Sequence, residues 1–369
     1  MKRDSFILAA GIGLAIYSIL MGGECLAAEK KRIIIIDSYH QEYLWSQQCN
    51  EGLSASLLKF GYLDDKKQEK QLNKDDFAES SGAIIKRLWM DTKRKKEKMD
   101  IAEVTAKFTT ITKEFRPDLI FLGDDNAANY IGNQFLDSRI PIVFWGVNNT
   151  PVKYGLVDSY EKPGHNVTGV YQTTYYKESL ELLKTIVPTA RTFAILSDDT
   201  TTGRIHNKAI QFLDRKGELP LQLVDTVATN NYEVWKKNTT ELQEKVDAFF
   251  IASSNLKNDD GSFVTNEDVA AWYTANINRP AASGFRYRVE HGWLCAVDDS
   301  GYNQGYEAGL MGHEILAHHV DPSTFPPRVP PRGPQMVNKT RAKKLGIPLT
   351  DKMGIEEYIE GPDPVKTSQ

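Results

Sequence analysis

Two series of short apolar segments alternate with helical segments along this chain. The first series opens with KRIIIID at Lys31–Asp37, where four consecutive isoleucines follow a basic pair. A short run of β-branched residues predicts a strand buried on both faces, which is typical of a parallel sheet. Strands that alternate with helices are joined by right-handed crossovers. We therefore predict an α/β chain with two Rossmann-like parallel sheets.

The predicted elements fall into two groups that are separated by a segment without periodicity. The first group has strands at 31–36, 84–90, 118–123 and 140–147, and helices at 46–61, 101–115 and 126–136. Residues 62–81 are predicted to be a polar surface excursion, and residues 150–169, rich in Pro and Gly, a first crossing between domains. The second group has helices at 176–187, 202–216, 232–246 and 265–277, and strands at 192–196, 221–227, 248–252 and 280–284.

The last part of the chain is too short for a third domain. It is predicted to form a strand, a long helix, a proline-dense extended segment and a short helix, at 293–297, 302–319, 325–334 and 341–346. We expect it to re-enter the first lobe and return to the second. The expected lobes are residues 29–149 with 286–322, and residues 150–285 with 323–369, which agrees with about two domains for 369 residues. Several crossings form a multi-segment hinge, and two hinged lobes close on a ligand.

Residues 1–28 have the organisation of a secretory signal peptide. Lys2 and Arg3 form a positive n-region, an apolar stretch follows, and Leu26-Ala27-Ala28 offers a cleavage site. An uncleaved anchor is the alternative, because the apolar stretch is near the lower length limit for spanning a bilayer. We therefore expect a periplasmic or extracytoplasmic protein. The net charge of −4 argues against a nucleic-acid partner, since such proteins usually carry a basic excess.

Three cysteines are present, and Cys25 falls within the expected signal peptide. Cys49 lies on a predicted helix and Cys295 in a predicted strand. A disulfide between them and two separately buried thiols are both compatible with an oxidising compartment. Their spacing is not that of a metal site, and we expect no cofactor.

Polar and aromatic residues follow the predicted strands of both sheets, at the edge where open α/β sheets bind ligands. Hydroxyl groups and helix N-terminal amides can hold an anion there, although capping a helix is their usual role. The acidic residues, which include Asp299, can accept hydrogen bonds from an ammonium group or sugar hydroxyls. Their number favours a cationic, zwitterionic or polyhydroxy ligand. Aromatic rings can stack on an apolar or cationic part, whereas Trp145 lies within a strand and is expected in the core.

The candidate ligand-binding residues are Ser38, Tyr39, His40, Trp45, Asp124, Asp125, Asn126, Asn148, Asp198, Asp199, Thr200, Ser253, Asn255, Phe285, Asp298 and Tyr302.

Three stretches occur in a characteristic order: IIDSYHQEYLW at the start, WMDTKR at 89–94 followed after a helix by PDLIFLGDDNAA, and GYEAG at 305–309 followed by prolines, Val337-Asn338 and AKKLGIP. Together they resemble the substrate-binding proteins of ABC importers with the type I periplasmic binding protein fold. The resemblance covers roughly residues 31–349 and is to the group that includes a tryptophan/tyrosine-type binder. The chain departs from simpler members in the charged segment 62–81 and in the Asp pairs at 124–125 and 198–199.

The resemblance implies a monomer that captures a small polar ligand, such as an amino acid or amine, between its lobes and delivers it to an ABC permease. Related domains also serve as sensors, so a ligand-binding subunit of a membrane signalling receptor is an alternative. A secreted α/β enzyme is a further alternative, and the lack of the usual catalytic motifs argues against it. There is no Gly-x-Ser-x-Gly elbow or phosphate-binding loop. His313-Glu314 begins an HExxH-like run, but residue 317 is Ala.

Overall fold

The structure, a computed structural model, describes residues 29–95, 97–148 and 151–361. The expected signal peptide at 1–28 lies outside the described residues. The strands are β1 (Lys31–Asp37), β2 (Phe77–Glu79), β3 (Ala83–Trp89), β4 (Leu119–Gly123), β5 (Ile142–Val147), β6 (Val167–Tyr171), β7 (Thr192–Ser197), β8 (Gln222–Ala228), β9 (Ala248–Ile251), β10 (Ala281–Ser283), β11 (Cys295–Val297), β12 (Gln335–Asn338) and β13 (Glu357–Ile359). The helices are α1 (Leu44–Lys59), α2 (Lys66–Asp75), α3 (Lys98–Phe115), α4 (Asp124–Asn126), α5 (Tyr176–Ile186), α6 (Thr201–Arg215), α7 (Tyr232–Leu242), α8 (Asn266–Asn276), α9 (Arg286–Glu290), α10 (Gly301–His318) and α11 (Lys339–Lys344).

The isoleucine run forms the middle of the first sheet, whose strand order is β2-β3-β1-β4-β5-β6. Strand β1 pairs in parallel with both β3 and β4, and its four isoleucines have no exposed surface. Burial on both faces is the reason that this strand has no polar alternation. Strand β2 at the edge is antiparallel to β3. We call this sheet with its flanking helices the first lobe.

The second sheet has the order β13-β12-β11-β10-β9-β7-β8 and, with its flanking helices, forms the second lobe. Its strands from β8 to β11 are parallel, and β12 is antiparallel to β11. Strand β9 (AFFI) is buried at every position, as expected for a central parallel strand. Two mostly parallel sheets covered by helices confirm the predicted α/β fold.

Helices α1 and α10 pack so closely that glycine is required between them. A Cβ atom added to Gly305 would lie 1.7 Å from the carbonyl oxygen of Cys49, and one added to Gly52 would lie 1.9 Å from that of Tyr302. No side chain fits at such distances, because the two backbones are in direct contact. The C-terminal helix α10 therefore packs with the first sheet and its helices.

Two segments of the first lobe are more regular than the sequence suggested. The predicted surface excursion 62–81 contains α2 and the edge strand β2. Helix α2 is short of apolar residues, with Leu72 as its buried residue, so it has no hydrophobic periodicity to reveal it. Asp124 and Asp125, which lie between the predicted strand 118–123 and the predicted helix 126–136, are already helical as part of α4. A π-helical turn over Ala127–Ile131 follows.

The division of strands between the lobes differs from the sequence expectation at two places. Strand β6 lies in the segment expected to cross into the second lobe, but it pairs with β5 at the edge of the first sheet. Strand β11 was expected in the first lobe, but it pairs with β10 in the second. Strand pairing depends on contacts between distant segments, which local periodicity does not encode.

Three segments of the described chain connect the two sheets: 172–175 after β6, 298–300 after β11, and 319–334 after α10. They are hydrogen-bonded to each other and to the adjoining helix. Gln172 donates from Nε2 to Asp299 Oδ2 at 2.6 Å, and Asn303 donates from Nδ2 to the Pro331 carbonyl oxygen at 3.0 Å. These crossings form the multi-segment connection expected of a hinge. Within the described residues, no helix has the length and apolar character needed to cross a membrane.

Both remaining cysteines are free and buried, Cys49 in α1 and Cys295 in β11. Of the two alternatives raised by the sequence, the structure therefore has two separately buried thiols. Trp145 in β5 is fully buried, as expected for a core residue.

Candidate functional site

A cavity of about 540 Å³ lies between the lobes, where strands of both sheets end. We call it the interlobe cavity. Its first-lobe lining consists of Tyr39, Tyr43, Leu44, Trp45, Gln48, Lys93, Asp124, Asp125, Asn148 and Gln172. Its second-lobe lining consists of Thr202, Ile205, His206, Ala252, Ser253, Ser254, Asn255, Asn266, Glu267, Phe285, Arg286, Tyr287, Arg288, His291, Asp298 and Asp299. This volume is typical of small-molecule sites.

On the first-lobe side, the central polar group is the carboxylate of Asp124. Asp124 is buried, and the indole Nε1 of Trp45 donates a hydrogen bond to its Oδ1 at 3.0 Å. Its second oxygen, Oδ2, is buried and has no hydrogen-bond partner among the described residues. Burial, together with the nearby carboxylates of Asp37 and Asp125, raises the pKa of Asp124 well above its usual value. The backbone of Asp124 is left-handed, with φ of 64°, which places this side chain at the strand end.

Two tyrosines and a lysine cover the same side of the cavity. The rings of Tyr39 and Tyr43 meet edge to face with centroids 5.0 Å apart. The ammonium of Lys93 lies 4.2 Å from the Tyr39 centroid and 4.9 Å from that of Tyr43. Burial lowers the pKa of Lys93. The nearby charges of Asp124 and Asp125 act in the opposite direction and offset only part of this effect.

On the second-lobe side, Arg288 is the main cationic group. Its side chain is 3% exposed, its Nη1 donates to Ser254 Oγ at 3.1 Å, and its Nε is buried without a partner. Among the described residues no carboxylate oxygen lies within 4.0 Å of this guanidinium. Burial and the charge of Arg288 lower the pKa of His206 to about 4, so His206 is neutral at pH 7. Within the part of the chain that the structure describes, buried Arg288 therefore has no ionic partner.

Two adjacent carboxylates stand where β11 leaves the second sheet. Burial raises the pKa of Asp298 to about 6 and that of Asp299 to about 8. The backbone N–H of Arg286 donates to Asp298 Oδ1 at 2.8 Å. Asp299 Oδ1 is buried and has no hydrogen-bond partner among the described residues, while Oδ2 accepts from Gln172. Asp299 thus belongs both to the cavity and to the connection between the lobes.

The structure brings nine of the sixteen candidate residues to the interlobe cavity. They are Tyr39, Trp45, Asp124, Asp125, Asn148, Ser253, Asn255, Phe285 and Asp298. Trp45 lies on α1, and the others follow the ends of strands in both sheets, which is the placement expected for parallel sheets.

The other seven candidates lie outside the lining and have local partners. Ser38 Oγ donates to the Gly123 carbonyl, and His40 lies 3.6 Å from Asp91. The amide of Asn126 donates to Thr92 Oγ1, and Asp199 pairs with Arg204.

Asp198 accepts hydrogen bonds from the backbone of Thr200 and Asn255. Thr200 caps α6 by accepting from the Gly203 N–H. Tyr302 is 42% exposed and stacks on Tyr306. Capping and surface stacking therefore account for several of these residues.

Sequence reasoning missed most of the cationic side of the cavity. Arg288 lies on the short helix α9, which was not predicted, and Lys93 follows β3 in a run of basic residues typical of a solvated surface. The spacing of Phe285, Tyr287 and Arg288 directly after a strand was the available signal. Asp299 was recognised as a possible acceptor, but nothing in the sequence indicated that it lies in the hinge.

A second depression, of about 810 Å³, lies between α3 and residues 129–134 on the outer face of the first lobe. It is lined mainly by Ala, Thr, Asn and Ile side chains and has no buried charged group. The interlobe cavity is the better candidate site, because it combines aromatic walls with buried, incompletely paired polar atoms. Among the described residues, no group of three or more His, Cys, Asp or Glu side chains could hold a metal ion.

Two mostly parallel sheets, a multi-segment connection and a polar cavity between the lobes define a type I periplasmic binding protein fold. Solved structures agree with this fold. The ligand-free, open form of a substrate binding protein with adhesive properties from Clostridium difficile aligns with 90% of this chain and all of that chain, at a TM-score of 0.67 and 23% identity. An ABC domain from Streptococcus pneumonia in complex with L-Trp aligns with 89% of this chain and all of that chain, at a TM-score of 0.63 and 19% identity.

Residues 74–357 match the model of the ABC transporter substrate binding protein family. The chain belongs to this family, as its three sequence stretches predicted. It is also 30% identical over 227 residues to a tyrosine-binding protein from Clostridioides difficile, an alignment that spans 58% of this chain and 57% of that relative. The family consists of binding proteins and not of enzymes, which agrees with the motif search.

Proposed function

We propose that this protein captures a free amino acid between its two lobes, outside the cytoplasm, and delivers it to an ABC importer. The observation that carries this proposal is Arg288, a buried guanidinium that faces the interlobe cavity without a carboxylate partner among the described residues. A buried cation without an ionic partner is unfavourable, so the site favours an anionic ligand group.

Arg288 is suited to a carboxylate in particular. A guanidinium presents a planar fork of donors that can bind both oxygens of a carboxylate at once. The hydroxyl of Ser254 already accepts from Nη1 and holds the side chain in place. The neighbouring Arg286 is less suited, because Glu357 engages it through both of its carboxylate oxygens.

The ammonium group of an amino acid requires acceptors, and Asp299 offers the best one. Its Oδ1 is buried in the cavity lining and lacks a hydrogen-bond partner among the described residues. Asp298 and Asp299 directly follow β11 of the second lobe, which also carries Arg288, and all three line the cavity, so one zwitterionic head group could contact both signs of charge. The buried and unpaired Oδ2 of Asp124 is a second acceptor on the opposite wall.

The remaining walls are suited to an apolar or aromatic side chain. Tyr39, Tyr43 and Trp45 line one side of the cavity, and Phe285 and Tyr287 line the other. The rings of Phe285 and Tyr287 stack with centroids 5.8 Å apart. The tyrosine-binding relative and the L-Trp complex of the similar fold support an aromatic amino acid as the first ligand to test.

Ligand binding would bring the lobes together about the three connecting segments, and the closed form would be the one that the permease recognises. We also propose that residues 1–28 direct secretion and that the protein acts as a monomer. We place the lobe boundaries where the sheets divide. The first lobe runs from β1 to β6 and also includes α10, and the second lobe contains the strands β7 to β13.

The first test is binding of L-tyrosine, L-tryptophan, L-leucine and L-glutamate to the purified mature chain, followed by calorimetry with ligand analogues. Tyramine lacks the carboxylate and N-acetyl-L-tyrosine lacks the ammonium, so both should bind far more weakly than L-tyrosine. Arg288→Gln should weaken amino-acid binding by about 30-fold or more, because removing one partner of a buried charged pair costs about 2–5 kcal/mol.

Arg286→Gln is the matched control in the same cavity. Its partners Glu357 and Glu290 are partly exposed, so affinity should stay within about fivefold of the parent. Unchanged affinity in Arg288→Gln, or no binding of any amino acid by the parent, would overturn the proposal. Co-purification of the ligand-loaded protein with a membrane fraction tests the partner: a permease supports import, and a receptor kinase or chemoreceptor supports the sensor alternative.

A further inference from the structure

The two tyrosines on the first-lobe wall hold a cation supplied by the protein itself. We call Tyr39 and Tyr43 the tyrosine box. The Lys93 ammonium lies 4.2 Å and 4.9 Å from their ring centroids, well within the range of a cation–π contact. Tyr39, Tyr43 and Lys93 all line the interlobe cavity. A position that would suit a cationic group of a ligand is therefore already filled.

The charge around the tyrosine box also favours a cation. The carboxylates of Asp124 and Asp125 are near enough to oppose the effect of burial on the pKa of Lys93. Asp124 is 1% exposed and its Oδ2 has no hydrogen-bond partner among the described residues, whereas Asp125 accepts hydrogen bonds from Asn148 and Tyr154. Lys93 thus compensates acidic charge that the fold places in the cavity wall.

The surroundings of Lys93 differ from those of its neighbour Arg94. The residue as a whole is exposed, while the protein groups around its ammonium lower its pKa. Among the described residues no carboxylate oxygen lies within 4.0 Å of that ammonium. Its neighbour Arg94, in contrast, is paired with Asp91 at 2.7 Å. The position of the Lys93 ammonium follows from the rings and from longer-range attraction, and both act on the space that a ligand occupies.

We propose that Lys93 is a specificity-determining residue, whose ammonium occupies the tyrosine box and excludes amino acids that carry a second positive charge. This inference rests on the proposed capture of an amino acid and specifies which amino acids the site accepts. A ligand ammonium entering the box would meet Lys93 at a distance where like charges repel strongly. A neutral or hydrogen-bond-accepting side chain would instead meet a donor and two aromatic rings.

The proposal makes a gain-of-function prediction for Lys93→Met. Methionine keeps an unbranched apolar side chain of similar length and removes the charge. Without the lysine charge, the rings of the tyrosine box and the carboxylate of Asp124 can hold a ligand cation instead. Lys93→Arg is the matched control because it retains the positive charge. The neutral probes are L-tyrosine and L-leucine. The cationic probes are L-lysine and 4-(aminomethyl)-L-phenylalanine, which has an aromatic ring like that of L-tyrosine and a distal ammonium group.

Calorimetry should show that the parent and Lys93→Arg prefer the neutral probes. Lys93→Met should gain about tenfold or more in affinity for a cationic probe, in line with the strength of a desolvated cation–π contact. Equal parent affinity for neutral and cationic probes, or no gain in Lys93→Met with unchanged thermal stability, overturns the role of Lys93. If the parent binds no amino acid at all, the proposed function fails first. If neutral probes bind and Lys93→Met alters nothing, the proposed function stands and only this inference fails.

Discussion

Replacing Asp299 by Asn should stabilise the ligand-free protein at neutral pH. Burial raises the pKa of Asp299 to about 8, from a usual value of 3.8. Between these two values the folded protein retains a proton that the unfolded chain releases. The free energy of unfolding therefore falls as pH rises through this window. Asparagine is close in shape to the protonated acid and cannot ionise. The free energy of unfolding of the variant therefore does not fall with pH at this residue.

The structure gives an upper bound for the effect. At 1.36 kcal/mol per pH unit, the contribution of Asp299 changes by roughly 3 kcal/mol between about pH 4.5 and pH 7. Water entry and relaxation of the hinge reduce such penalties in real proteins. We therefore expect a gain of at least about 1 kcal/mol at pH 7, which is about 1–2 °C in melting temperature for a chain of this length. Gln172 can still donate to the amide oxygen of the new side chain.

Thermal unfolding of the ligand-free parent and Asp299→Asn across about pH 4.5–8 is the assay, with the difference in melting temperature as the readout. Asp247→Asn is the control with the opposite sign. Asp247 accepts bonds from the backbone of Arg191 and Thr192, and these outweigh burial and lower its pKa. Its replacement should destabilise by about the same amount throughout this pH range, because the lowered pKa of Asp247 lies below 3.8 and its contribution is lost only at lower pH. An Asp299→Asn difference that is independent of pH would refute the reasoning.

Three further predictions concern the site and the fold. Amino-acid binding near pH 7 should release up to one proton, because a ligand ammonium at Asp299 favours the charged carboxylate. Calorimetry in buffers of different ionisation enthalpy measures the number of protons released. Gly305→Ala should lower stability by about 3 kcal/mol or more, since its Cβ would overlap the Cys49 carbonyl, and a large loss of melting temperature or of folded yield would show it. Thr200→Ala should cost about 1 kcal/mol through loss of the α6 cap while leaving ligand affinity unchanged, so a weaker affinity would place Thr200 in the binding site after all.

The strands of the central sheets were predictable because burial on both faces leaves a local signature. β1, β4 and β5 are continuous apolar runs, and each was predicted within a few residues of its observed bounds. Helix α2 and strand β2 were missed, because an exposed helix and a three-residue edge strand have few buried positions to reveal them. Strand β6 was missed for a different reason. It is separated along the chain from its partner β5 by a segment rich in Pro and Gly, and only the pairing in the folded structure identifies it as a strand of the first sheet.

The candidate site divides in the same way. Nine residues at the cavity were indicated by their position after strands, since parallel strands deliver their carboxyl ends to one edge. Thr200 and Asp198 satisfied the same rule, yet they cap and brace the start of α6. A residue type and its place along the chain cannot distinguish capping from ligand binding, because both use the same oxygen atoms in the same loops.

The sequence by itself determined the two-lobed α/β fold, the family and the acidic, aromatic character of the cleft. Each of these follows from periodicity, composition or short motifs, which are local properties. Only the tertiary structure decided that Arg288 is buried without an ionic partner among the described residues. It also decided that Lys93 lies over Tyr39 and Tyr43, and that Asp299 accepts a hydrogen bond from the hinge residue Gln172. Charge balance in a cavity depends on groups brought together from both lobes, and no local pattern contains that information.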